Sequence, residues 1–147
     1  MALLGQAERE RDDALSLARK AMDAQTAAQL QVDQLVAYRK EYEERFRTQF
    51  AQKSTVDILQ CYQGFTLRLN QAIDQQRDVT AHATVRHDQA RGVLREQEMR
   101  VASVRKLLER RLYELRLVAD RRDQKQTDEF ASRAAWNRLA AQASPAR

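Results

Sequence analysis

The sequence predicts an all-α fold: two long helices packed antiparallel as a coiled-coil hairpin, the second longer than the first. Three observations predict it. No proline occurs between residues 6 and 144, and within that span glycine appears only at Gly64 and Gly92. Proline breaks helices and glycine weakens them, so long helices are the default for such a chain. Charged residues make up 32% of the 147 and hydrophobic ones 43%, many of them alanine, which is a coiled-coil composition. Apolar residues also recur at three- and four-residue spacing along most of the chain. A long helix in water must cover its apolar face against another helix. The expected product is a rod with a thin core, one that offers contact surface rather than a catalytic pocket and gains stability from a partner.

The first helix is read over residues 1–52. Leu3, Ala7, Ala14, Leu17, Ala21, Ala24, Ala28, Gln31, Leu35, Tyr38 and Tyr42 lie on one alternating series, with Glu10 in its gap. A second stripe sits one position on: Leu15, Ala18, Met22, Val32, Val36, Phe46 and Phe50. Two adjacent stripes exceed what one two-stranded seam requires. One is expected to be core and the other a docking face.

Residues 53–56 are read as the turn. The apolar series stops at Phe50, and Ser54 or Thr55 can cap a new helix. With Ser54 as the cap, Asp57 falls at the third helical position.

The second helix is read over residues 57–140. Its stripe runs Ile58, Tyr62, Phe65, Leu69, Ala72, Gln76, Val79, Ala83, then resumes as Leu94, Val101, Leu108, Leu112, Leu115, Ala119. The two runs are out of register. A stutter or kink is therefore expected around His87–Leu94, where Gly92 also lies. At about 1.5 Å per residue the second arm spans about 120 Å against about 75 Å for the first, so it should overhang. Residues 141–147 are expected to be a disordered tail.

Most site chemistry is missing. Three isolated glycines make no phosphate-binding loop. His82 and His87 are five apart, the wrong spacing for two metal ligands on one helical face. Cys61 is the single cysteine, with no internal disulfide partner, and reads as a packed small residue in a reducing compartment. Nothing points to an enzyme, a cofactor or a metal. The segment Met1–Gln6 turns charged by Glu8 and carries no apolar core of signal-peptide length. No run approaches the roughly 20 apolar residues of a membrane helix.

Charge and aromatics are what remain. Between Arg100 and Lys125 nine basic residues accompany four acids, a surplus of five that equals the net charge of the whole chain. Such a stretch suggests an acidic partner, or else a solvated face laced with acids. A nucleic-acid-binding coiled coil is the alternative from another class, and interleaved acids argue against it. Tyr38, Tyr42, Phe46 and Phe50 close the first arm, while Tyr62 and Phe65 open the second. In a hairpin these clusters meet near the bend. They either fill the seam there or stand outward as interface anchors. A second group, Tyr113, Phe130 and Trp136, lies towards the C-terminus.

Three segments carry a family resemblance. Gln31–Tyr42, Tyr62–Gln76 and Asp123–Ala135 resemble, in order and spacing, segments of the flagellar FliJ family. The resemblance covers essentially the whole chain. It implies an antiparallel two-helix coiled coil of the flagellar type III export apparatus, cytoplasmic and peripheral at the inner membrane. Its implied partners are the export ATPase hexamer, whose assembly it promotes, the membrane-embedded export gate, and export chaperones that it helps recycle. No nucleic-acid partner and no transmembrane segment are expected. The positions matching the family's gate-binding face are Gln31, Leu35, Tyr38 and Tyr42 with Phe65, Leu69, Ala72 and Gln76. Gln76 departs from the histidine of the enterobacterial member. On this resemblance Tyr38, Tyr42 and Phe65 are expected to be docking residues rather than seam. The basic side chains Arg105, Arg110, Arg111, Arg121 and Arg122 are expected to face the ATPase ring. The injectisome counterpart of this stalk is the alternative within the same class.

Overall fold

The structure, a computed structural model, describes residues 2–50 and 55–143. It contains two helices, α1 (Ala2–Phe50, 49 residues) and α2 (Val56–Ala143, 88 residues). The chain divides into two compact units, Met1–Val101 and Ala102–Arg147.

The start of α2 is set by Thr55. Its Oγ1 accepts a hydrogen bond from the Ile58 amide at 3.3 Å, and its carbonyl accepts one from the Leu59 amide at 3.1 Å. Thr55 is thus the N-cap and Ile58 the third helical residue. Val56, expected in the turn, is already helical because the cap lies just before it. Asp57 sits in the first turn, where a carboxylate favours the positive end of the helix dipole. Lys53 and Ser54, the other two residues of the expected turn, lie outside the described residues. At the other end α2 runs on to Ala143. Residues 141–143, expected in the tail, are Ala-Gln-Ala, strong helix formers that continue it.

In the first unit the helices pair antiparallel. Glu10 meets Arg100, Gln25 meets Thr84, Gln76 meets Ala28, Arg39 meets Asn70, and Tyr42 meets Tyr62. Each step forward on α1 matches a step back on α2. The burial pattern gives the seam. On α1 a shielded series runs through 7, 11, 14, 18, 21, 25, 28, 32, 35, 39, 42 and 46. On α2 it runs through 62, 66, 69, 73, 76, 80, 83, 87, 90, 94, 97 and 101. Both series alternate strictly by three and four, as a heptad requires. With Arg11 at position a and Ala14 at d, α1 places Ala18, Gln25, Val32 and Arg39 at a. On α2, Thr66, Ile73 and Thr80 hold a, while Tyr62, Leu69, Gln76 and Ala83 hold d.

This seam corrects two expectations. The two stripes of α1 are not core and docking face. The seam takes half of each, and the other halves flank it: Leu3, Leu17, Ala24, Gln31 and Tyr38 at g, Leu15, Met22 and Val36 at e. The register shift near His87–Leu94 is also absent from the packing, because the shielded series passes through it unbroken. The two apparent runs follow opposite halves of one seam. Polar residues at 66, 80, 87 and 97 hid the connection. Gly92 is off the seam.

The core is thin. Five of the ten buried apolar residues are alanine, so each contributes little burial, and Ile73 is the one large side chain wholly enclosed among the described residues. Alanine permits close helix approach but supplies few contacts. Polar bonds supplement it: Gln25 Nε2 donates to Thr84 Oγ1 at 3.0 Å, and Arg39 Nη1 to Asn70 Oδ1 at 2.9 Å. These fix register more than stability, since a partly exposed hydrogen bond contributes about 1 kcal/mol.

The second unit is the remainder of α2. Its side chains from Glu109 to Ala143 are exposed apart from Ala134. Leu112, Leu115, Val118, Phe130, Trp136 and Leu139 are among them.

Candidate functional surface

Eight residues were expected to make one face, and the seam register shows how they sit. Leu35, Tyr42, Leu69 and Gln76 hold d positions. Gln31, Tyr38, Phe65 and Ala72 hold g positions. The g lines of the two helices adjoin across the hairpin: Glu10 pairs with Arg100, and the Tyr38 and Phe65 rings meet edge to face, 6.2 Å between centroids. All eight therefore share the g side of the first unit. The d residues form its floor and the g residues its rim. Leu69, 7% exposed, is the most buried of the eight, while Tyr38, 47% exposed, and Gln31 are the exposed ones. Gln76 turns inward far enough to donate from Nε2 to the Ala28 carbonyl at 3.4 Å.

The aromatics near the bend form a ladder across the helices. Phe46 stacks on Tyr62 at 3.8 Å, and Tyr62 on Tyr42 at 5.6 Å. Tyr42 leans on Phe65 at 4.3 Å, and Phe65 touches Tyr38. Offset and edge contacts of this kind are worth about 0.5–1.5 kcal/mol each beyond burial. The ladder has an inside and an outside. Phe46, Tyr62 and Tyr42 occupy seam positions, whereas Tyr38 and one edge of Phe65 stand at the rim. Tyr42 is packed against three rings, those of Tyr62, Phe65 and Tyr38. Seam filling and outward display are thus successive rungs, and spacing alone could not show which ring took which part. Phe50's side chain lies outside the described residues.

The opposite, e side of the hairpin carries a shallow groove lined by Val32, Val36, Ala37, Thr80, Ala81 and Thr84. Asp33, Lys40 and Arg77 edge it. Opposed charges at its margin give it no strong sign.

The second unit carries the expected basic side chains. Arg105, Arg110, Arg111, Arg121 and Arg122 are all exposed on one helix. Arg110 Nε donates to Glu114 at 3.3 Å, one turn on. Arg121 and Lys125 edge an open groove with Asp128 and Glu129. Among the described residues, no cluster of three or more His, Cys, Asp or Glu is placed to hold a metal. No helix there is long and apolar enough to cross a membrane. Cys61 is exposed rather than packed. His82 is exposed and His87 half-buried on the seam.

Comparison with known proteins bears on this arrangement directly. The family model described as "Flagellar FliJ protein" matches residues 1–140. The chain belongs to the FliJ family. The Flagellar FliJ proteins of Salmonella typhi and of Escherichia coli (strain K12) are each 32% identical to it over 132 residues. Each alignment covers 90% of this chain and 90% of the FliJ relative. No solved structure matches. The FliJ match takes in α1, the hairpin and nearly all of the second unit, so the paired helices and the basic segment belong to one family unit.

Proposed function

We propose that this chain is a non-enzymatic coiled-coil stalk of the flagellar type III export apparatus. It binds the export ATPase ring and promotes its assembly, contacts the membrane-embedded export gate, and helps recycle export chaperones. It works in the cytoplasm, peripheral to the inner membrane. The observation that carries this reading is the FliJ family match over residues 1–140. The flagellar relatives favour that system over its injectisome counterpart.

The physical features support a division of labour. The g-side face by the bend offers Tyr38 and Phe65 as partly exposed aromatics over a rigid floor, the form that interface anchors take. That face is the proposed gate contact. Arg105, Arg110, Arg111, Arg121 and Arg122 are the proposed contacts to an acidic ring lining. Exposed charges at such a surface steer encounter and are screened by salt, so they hold a ring without locking it.

The test is assembly. Purified chain is added to the cognate export ATPase, and hydrolysis and oligomer size are followed together. A protein that binds the hexamer in preference to the monomer draws the equilibrium to the hexamer. Both readouts should rise and then saturate. Unchanged rate and size at saturating protein would remove the stalk reading.

A further inference from the structure

The second unit carries an apolar face that the ring reading does not use. At about 100° per residue, Val104, Leu107, Leu108, Leu112, Leu115 and Val118 fall within an arc of about 140° on one side of α2. Val104 is buried and Leu108 half-buried, while Leu107, Leu112, Leu115 and Val118 are exposed. Leu112 is 56% and Leu115 59% exposed. The stretch Val104–Ala119 carries five basic residues against two acids. The basic groups bracket the apolar arc: Arg105 and Arg116 lie beyond one edge, Arg110 and Arg121 beyond the other.

From this arrangement we infer that the accessible part of this arc, residues 107–119, lies on anionic phospholipid surfaces. An amphipathic helix with leucine and valine on one side and arginine along the margins seats its apolar face at the headgroup boundary, and its cations meet the lipid phosphates. A partner helix fits less well. A coiled-coil seam needs a sustained heptad, and here the a and d series is interrupted by Arg111, Arg122 and Lys125. The arc is also broader than a two-stranded seam, and only about 16 residues long. A bilayer surface has no register to satisfy. It tolerates Arg111 within the apolar arc, because a long side chain extends its charge to the headgroups. The inference does not rest on the ring reading. It concerns the chain before a ring is engaged, and ring and membrane compete for the same segment.

The experiment uses the full chain in vesicle sedimentation. One set of vesicles is phosphatidylcholine alone, and the other mixes phosphatidylcholine with phosphatidylglycerol. The chain should sediment with the mixed vesicles, less so as salt rises, and stay free of the neutral ones. The double variant Leu112→Gln with Leu115→Gln keeps every charge. Both side chains are exposed, so its circular dichroism should match the parent. Its affinity for mixed vesicles should fall about tenfold or more as two apolar contacts are lost. Equal binding of variant and parent would mean charge attraction alone and would overturn the proposal. So would failure of the parent to bind anionic vesicles. A variant that keeps vesicle binding but no longer stimulates the export ATPase would reassign the face to a protein partner.

Discussion

Tyr38 and Tyr42 are one helical turn apart, yet they do different work. Tyr42 holds a d position between the rings of Tyr62 and Phe65, and Tyr38 stands at g with almost half its surface in water. Tyr42→Ala should therefore cost about 2–4 kcal/mol of folding stability, since it opens a hole in the ladder. Tyr38→Ala removes two peripheral ring contacts, with Phe65 at 6.2 Å and with Tyr42 at 6.5 Å, and should cost about 1–2 kcal/mol. If Tyr38 anchors the export gate, the same change should weaken gate binding by about 1–2 kcal/mol or more. Thermal melts and gate-binding isotherms on both variants separate the roles. A large melting loss for Tyr38→Ala without selective loss of binding would return that ring to the fold. At this scale the sequence identified the residues that cluster at the bend. It could not say which ring faces inward, because that depends on where the seam falls between two equally apolar stripes.

At the level of the helix pair, the seam explains both what was legible and what was hidden. Two long helices, the second longer than the first, and a heptad follow directly from missing prolines and apolar spacing. The register did not. Arg11, Gln25 and Arg39 occupy core lines of α1, and Thr66, Thr80, His87 and Gln97 those of α2. A pattern read from apolar residues skips each of these and drifts onto a flanking line. Two of them carry an unmet demand: Thr66 Oγ1 and Gln97 Oε1 are enclosed without a hydrogen-bond partner among the described residues. The Thr66→Val variant, of nearly the same shape, should therefore hold or raise stability, by up to about 1–2 kcal/mol. A clear melting loss would show that this hydroxyl is satisfied after all. The glycines give a second measurement. A Cβ added at Gly64 or Gly92 meets no heavy atom within 4 Å, and both lie inside α2. Neither has the positive φ that would require glycine. Gly64→Ala and Gly92→Ala should each stabilise by about 0.5–1 kcal/mol and add, being far apart. A loss of stability at Gly92 would restore a kink that the unbroken seam argues against.

For the whole molecule, the question is how a basic chain with a thin core acts on a much larger assembly. The surplus of positive charge is concentrated in one segment, between Arg100 and Lys125. Exposed charges contribute little to the fold, so that segment can be altered without unfolding the hairpin. The quadruple variant Arg110→Glu, Arg111→Glu, Arg121→Glu, Arg122→Glu should keep its helical circular dichroism and its melting temperature within about 2–4 °C. Its half-saturation concentration for stimulating the export ATPase should rise about tenfold or more at low salt. That difference should shrink as ionic strength rises and the Debye length falls to about 8 Å near physiological salt. If the face by the bend is the gate contact, gate binding should be unaffected, since neither Tyr38 nor Phe65 belongs to the charged segment. A salt titration of ATPase stimulation, run beside a gate-binding isotherm on the same preparation, measures both. If charge reversal leaves stimulation unchanged at low salt, the ring is held by other residues, and the basic segment has another purpose. If it abolishes gate binding as well, the two contacts are not separable, and the proposed division of labour between bend and basic segment fails.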